Sequence, residues 1–149
     1  MRVSFDIDDT LVCSPGVPTE QHLPRWRRLW YAEPLRSGTQ ALMGELLRRR
    51  CQLWIYTTSY RSPRYLRGWF RCLGIPLAGV INQTHHERVV GRHGPSKYPP
   101  AFGIDLLIDD SEGVALEGRR YDFRVLRVDP ADTRWADRVG EEVRKCLGK

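Results

Sequence analysis

Short apolar runs alternate with amphipathic stretches along the whole chain, and this alternation constrains the fold more than any other feature. Residues 2–7, RVSFDI, place Val3, Phe5 and Ile7 on one side of a predicted strand. Residues 37–50 put Leu42, Met43, Leu46 and Leu47 on one face of a helix. Residues 51–57, CQLWIYT, read as a continuous apolar strand of the kind buried inside a parallel sheet. Ser62 and Pro63 then open a second helix, one as cap and the other in the first turn. Tyr65, Leu66, Trp69, Phe70 and Leu73 form its buried stripe, and Gly74 ends it. Further strands are expected over 79–82, 104–108 and 124–128. A short helix suits 111–117, and Trp135, Val139, Val143 and Leu147 mark a closing helix from about residue 132. Strands alternating with helices predict an α/β fold, a doubly wound parallel sheet of about five strands with helices on both faces.

In such a sheet the working site lies at the carboxyl ends of the strands. Polar residues stand at three of those ends: Asp6-Ile7-Asp8-Asp9-Thr10, Thr57-Thr58-Ser59 and Asp109-Asp110-Ser111. Asp alone is a common turn former after a strand. A second acidic strand end and a hydroxyl-rich third make chemistry the stronger reading. Asp6, Asp8, Asp109 and Asp110 would repel one another at close quarters, and a hard divalent cation relieves that cost. Oxygen-only ligation points to Mg2+. Asp6 and Asp8 are two apart in an extended segment, so both can point into one space. One can attack an electrophile while the other handles a proton. A carboxylate nucleophile suits a phosphoryl group and yields an aspartyl-phosphate, with a metal screening attacker from substrate.

A chain of 149 residues suits a single domain, residues 1–149. No apolar run approaches the roughly 18 residues of a membrane span. Three Asp interrupt the N-terminal MRVSFDIDDTLV, which therefore does not read as a signal peptide, and a cytoplasmic protein is expected. The four Cys form no C-x-x-C pair, which argues against zinc and for reduced thiols. The net charge of +6 comes mostly from Arg. That bias suits solvated surface, and it also suits steering of an anionic substrate. No nucleic-acid motif is present, so a nucleic-acid partner has no motif behind it. His85 and His86 are adjacent and would face apart in an extended chain, which argues against a shared metal ion.

The strand-end motifs resemble those of the haloacid dehalogenase-like (HAD) superfamily, mostly Mg2+-dependent phosphatases. Phe5-Asp6-Ile7-Asp8-Asp9-Thr10-Leu11 matches the first motif, a strand followed by D-x-D-x-T. Trp54-Ile55-Tyr56-Thr57 matches the second, Lys97 the third, and Leu106-Leu107-Ile108-Asp109-Asp110 the fourth. Order and spacing agree over residues 3–112. The resemblance implies a Rossmann-like sheet, Asp6 as nucleophile and metal ligand, and Asp8 as general acid/base whose backbone carbonyl binds metal. It implies that Thr57 holds the phosphoryl group, with Thr58 as the alternative if the register slips by one. Lys97 would stabilise the phosphoryl charge and the Asp6 carboxylate. Asp109 would ligate Mg2+ directly, and Asp110 directly or through water.

Members of this superfamily often insert a cap domain over the site. Here the segments between motifs are too short for one, so a small flap over 13–34 and an open site are expected. An open site admits a large substrate. A short helix, PRWRRLWY, with Pro24 first, is expected inside the flap. Arg25, Arg27 and Arg28 are candidate substrate contacts, with Arg25 and Arg28 preferred, for a phosphorylated small molecule or macromolecule. Trp26 and Trp30 either join them or pin the flap to the core. The leading reading is a Mg2+-dependent phosphomonoester hydrolase. The alternatives are a catalytically silent binding or regulatory domain of the same fold, and a polynucleotide or nucleotide phosphatase. A phosphoacceptor receiver domain would need an Asp where Thr57 stands.

Overall fold

The computed structural model describes all residues except 21, 22, 24, 25, 32 and 149. Chain order is β1 (Arg2–Phe5), β2 (Thr19–Glu20), β3 (Leu35–Arg36), α1 (Thr39–Arg48), β4 (Gln52–Tyr56), α2 (Pro63–Cys72), β5 (Gly79–Ile81), α3 (Gln83–Val89), β6 (Leu106–Asp109), α4 (Glu112–Arg120), β7 (Val125–Arg127) and α5 (Trp135–Leu147). Two 3-10 turns, Arg27–Leu29 and Pro99–Phe102, interrupt the loops. The main sheet has order β5-β4-β1-β6-β7, and all its pairs are parallel. The chain runs outward from β1 through β4 to β5, then returns to the other flank of β1 for β6 and β7. This reversal opens a crevice at the carboxyl ends of β1 and β6, where α/β sheets bind ligands.

Alternation along each strand divides the core between two faces. Val3, Phe5, Leu53, Ile55, Leu106 and Ile108 face one way, against Leu42, Met43 and Leu46 of α1, Leu66, Trp69 and Phe70 of α2, and Val139 and Val143 of α5. Tyr56, Ile81 and Leu107 face the other, with Val114 of α4. Ser62 caps α2 by accepting from the Tyr65 amide at 3.1 Å, and Pro63 follows, as the sequence predicts. Gly79 lies opposite Trp54 across the β4–β5 pair, and a Cβ there would collide with the indole ring.

Three features depart from the sequence reading. The polar stretch after β5 begins with helix α3, which Asn82 caps by accepting from the His85 amide at 3.0 Å. Glycines and prolines further along the stretch hid that short helix. Among its described residues the flap shows the 3-10 turn rather than the helix PRWRRLWY; Pro24 and Arg25 lie outside the described residues. An antiparallel ribbon, β2 with β3, closes the flap instead. Glu20 on that ribbon accepts from the Gly38 and Gln40 amides, so it caps α1 from a distance in sequence.

Arg36 is buried and carries no solvated charge. It donates to the carbonyls of Asp129, Pro130 and Asp132 and lies over the Trp135 ring at 4.8 Å. Burial lowers its pKa from the ordinary arginine value. Leu147 on α5 is exposed, so the inward stripe of the last helix ends at Val143. All four cysteines are free, and no helix among the described residues is long and apolar enough to cross a membrane.

Candidate active site

Asp6 follows β1 directly, and its amide donates to the Ile108 carbonyl at 2.9 Å, tying it to the end of β6. The chain then turns back sharply. The amides of Leu11 and Val12 both donate to the Ile7 carbonyl, and Asp9 sits at φ 57°. Asp tolerates this left-handed conformation better than most residues. The turn buries Thr10, whose hydroxyl donates to Asp110 Oδ1 at 3.1 Å. The first and fourth motifs are thereby joined by a side-chain bond.

Lys97 reaches this crevice from the loop after α3. Its Nζ donates to Asp109 Oδ2 at 2.6 Å and lies 2.9 Å from Asp6 Oδ1. The second contact is a close ion pair that holds the buried Asp6 Oδ1 against the ammonium. Burial pushes the Asp6 carboxyl up to about 6; Lys97 opposes that shift and Asp109 adds to it. Burial also works against the Lys97 charge, but Asp6 and Asp109 prevail and hold its pKa above the usual lysine value. Asp110 is raised as well, mainly by burial, with the Thr10 hydroxyl opposing.

Asp6, Asp109 and Asp110 each bring one carboxylate oxygen to within 4.8 Å of the others. Three acids against one Lys leave two uncompensated negative charges when all are ionised. Hard oxygen donors and this charge surplus together fit a hard divalent cation.

Asp8 does not join this carboxylate group. Its side chain is half-exposed, and Oδ2 accepts from Arg61 Nη1 at 2.9 Å. That leaves its backbone carbonyl as the ligand the family resemblance implies. Thr57 is buried at the end of β4, and its hydroxyl accepts from the Ser59 amide at 3.1 Å. Thr58 is exposed and lines a cleft of about 650 Å³ with Tyr60, His86 and Ser96. A larger groove, about 750 Å³, lies at the far sheet edge between α4, β7 and α5, away from the acids.

His86 is buried and serves the fold. Its Nδ1 lies 2.6 Å from the Tyr56 hydroxyl, which accepts from the Tyr98 amide at 2.8 Å. The phenol thus links the Tyr98 amide to the His86 ring. This chain anchors the residue next to Lys97. His85 instead sets its ring edge-on to Phe102, so the two histidines do part, though on a helix rather than an extended chain.

In the flap, Leu23 and Tyr31 make the seat, while Trp26 is 61% and Trp30 73% exposed, so neither indole pins the segment. Tyr31 packs its ring at a tilt against Tyr65, centroids 5.2 Å apart, and presses its hydroxyl to Gly68, where a Cβ would not fit. Arg28 is exposed and donates to the Leu23 carbonyl, and Arg27 lies over the Trp26 ring. Arg25 lies outside the described residues. Sequence reasoning passed over Arg61 and Glu33, which pair at 2.7 Å. Arg61 follows the second motif by only four residues, which is the one signal that could have singled it out.

Neither a protein-family model nor a curated protein matches the sequence. Among solved structures, the chain matches a HAD-superfamily hydrolase, subfamily IA, variant 1, from Geobacter sulfurreducens. The TM-score is 0.56, with 14% identity over 85% of this chain and 88% of that one. The chain shares the α/β fold of that structure. At this identity the likeness is one of fold. In this fold the acids that follow β1 and end β6, and the hydroxyl that follows β4, stand at the carboxyl ends of neighbouring strands.

Proposed function

We propose that the protein is a Mg2+-dependent phosphomonoester hydrolase. The observation that carries this reading is the buried Asp6 carboxylate, set beside Lys97 and within one ligand sphere of Asp109 and Asp110. Asp6, Asp109, Asp110 and the Asp8 carbonyl would hold the ion. When bound, Mg2+ supplies positive charge that neutralises the acids and the transferring phosphoryl group.

An Asp6 oxygen forms the new bond to phosphorus as the ester oxygen leaves with a proton from Asp8. The Asp6 acyl phosphate then yields to water, whose proton returns to Asp8, and orthophosphate departs with Asp6 restored. Thr57 orients the phosphoryl oxygens, with Thr58 as the alternative, and Lys97 balances charge at Asp6 throughout. The free thiols fit a reducing compartment, and this reading assigns the cytoplasm.

The exposed Trp26 and Trp30, with Arg27 against one of them, favour a substrate that carries a flat ring beyond its phosphate, such as a nucleotide or polynucleotide end. Arg25 and Arg28 are the other flap cations that could meet it. A screen of phosphorylated sugars, nucleotides, oligonucleotides and phosphopeptides for Mg2+-dependent orthophosphate release tests the reading. Release that Asp6→Asn abolishes is the expected result. No release from any class, with Mg2+ present, would leave the silent binding domain in its place.

A further inference from the structure

Arg61 spans two carboxylates from different parts of the chain. Nη1 contacts Asp8 Oδ2 at 2.9 Å, and Nη2 contacts Glu33 Oε1 at 2.7 Å. Its guanidinium is partly accessible, with 22% side-chain exposure, whereas Lys97 is sealed between two acids. Its backbone is fixed, since the Arg61 carbonyl accepts from Asn82 Nδ2 at 3.2 Å. So the root of the side chain is held at the mouth of the site while its head is shared.

Each carboxylate takes a single N–H of a group that has five and prefers a two-pronged partner. A phosphoryl group offers such a partner. If Asp8 exchanges a proton with the ester oxygen, that oxygen lies within a hydrogen bond of Asp8, and therefore within reach of the Arg61 head. We propose that Arg61 is a phosphoryl-binding residue parked on Asp8 and Glu33 in the free protein. Substrate takes the guanidinium from Asp8, which frees that carboxyl for proton transfer, and competes with Glu33 for the same fork. Glu33 belongs to the flap, so flap seating and phosphoryl binding draw on one cation. The proposal rests on the phosphohydrolase reading for the role of Asp8.

Calorimetric titration of the Mg2+-loaded protein with inorganic phosphate tests it without requiring turnover. Arg61→Met should weaken phosphate binding at least tenfold, and Arg61→Lys should fall between it and the wild type. Glu33→Gln removes the competitor and should tighten binding about threefold or more. In the double variant that tightening should vanish, because its mechanism runs through Arg61. Unchanged phosphate affinity in Arg61→Met overturns the proposal. So does tightening by Glu33→Gln that persists without Arg61, since that reports only a general field. Should Arg61→Met fail to fold, Arg61→Lys and Glu33→Gln carry the test; phosphate affinity unchanged in both overturns the proposal. Phosphate binding with this pattern but no hydrolysis of any ester would sink the enzymatic reading and leave the assignment of Arg61 standing.

Discussion

Lys97 donates to Asp109 at 2.6 Å across a stretch where both side chains are almost fully buried. One partner ends a strand of the sheet and the other rides on a loop, so the ion pair fixes the loop to the sheet at the site. Removing one member of a buried pair is far costlier than the pair itself is stabilising, because the other charge is left unpaired. Lys97→Met should cost about 3–5 kcal/mol of stability in the metal-free protein and lower hydrolysis by about a hundredfold or more. Lys145→Met removes an exposed lysine of α5, paired with Glu142 at 3.5 Å, and should shift stability by less than about 0.5 kcal/mol. Chemical denaturation and phosphate-release assays on both variants check this.

Asp6→Asn should abolish turnover while the protein stays folded, since an amide cannot attack phosphorus but keeps the shape. The same substitution reports the buried charge. The Asp6 carboxyl titrates near 6 in the fold against 3.8 when unperturbed. Between those pH values the folded state binds the extra proton, so stability falls as pH rises through the window and stays low above it. The loss is on the order of 3 kcal/mol for a shift of about two units. In the absence of divalent cations, wild type minus Asp6→Asn should therefore decline from pH 4 to pH 7. A flat difference across that range would mean that Lys97 already neutralises Asp6.

Chelation should abolish hydrolysis, and added Mg2+ should restore it. A cation bound only by the folded protein also stabilises it, by about 2.7 kcal/mol at a hundred times its dissociation constant. Thermal unfolding should shift upward with Mg2+ in the wild type. Asp109→Asn, which loses one of the three clustered carboxylates, should show little of that shift.

Tyr56→Phe removes the hydroxyl that links the Tyr98 amide to His86 Nδ1. Two buried polar groups lose their partner, at a cost of about 1–3 kcal/mol. Because Tyr98 follows Lys97, the loop that presents the lysine should loosen. Activity should fall severalfold even where the variant remains fully folded, as measured below its unfolding transition.

The parallel sheet and its acidic and hydroxyl-bearing strand ends were legible in the residues because they depend on local pattern. Apolar runs of strand length, helical stripes such as Leu66, Trp69 and Phe70, and the Ser62-Pro63 helix start are all encoded within a few positions. Asp6, Thr57 and Asp109 could be singled out because each falls at the carboxyl end of a strand, and Lys97 because its place ahead of the fourth motif matches the family's third. Helix α3 was hidden because it is short, and its cap, Asn82, looked like part of a polar loop.

The contacts between distant segments were decided by tertiary structure alone. Nothing local distinguishes Arg36 from the other arginines of a basic chain, and only its place four residues after Thr57 marks Arg61. One becomes a bridge between Asp8 and Glu33, the other a buried anchor for three carbonyls, only when the fold brings those groups within a hydrogen bond. The same holds for Asp8, whose spacing from Asp6 predicted a shared direction. The turn at Asp9 instead sends its carboxylate outward to Arg61, while Asp109 and Asp110 arrive from β6 to complete the cluster. Periodicity is a property of neighbours along the chain, whereas charge pairing depends on neighbours in space, and only folding determines those.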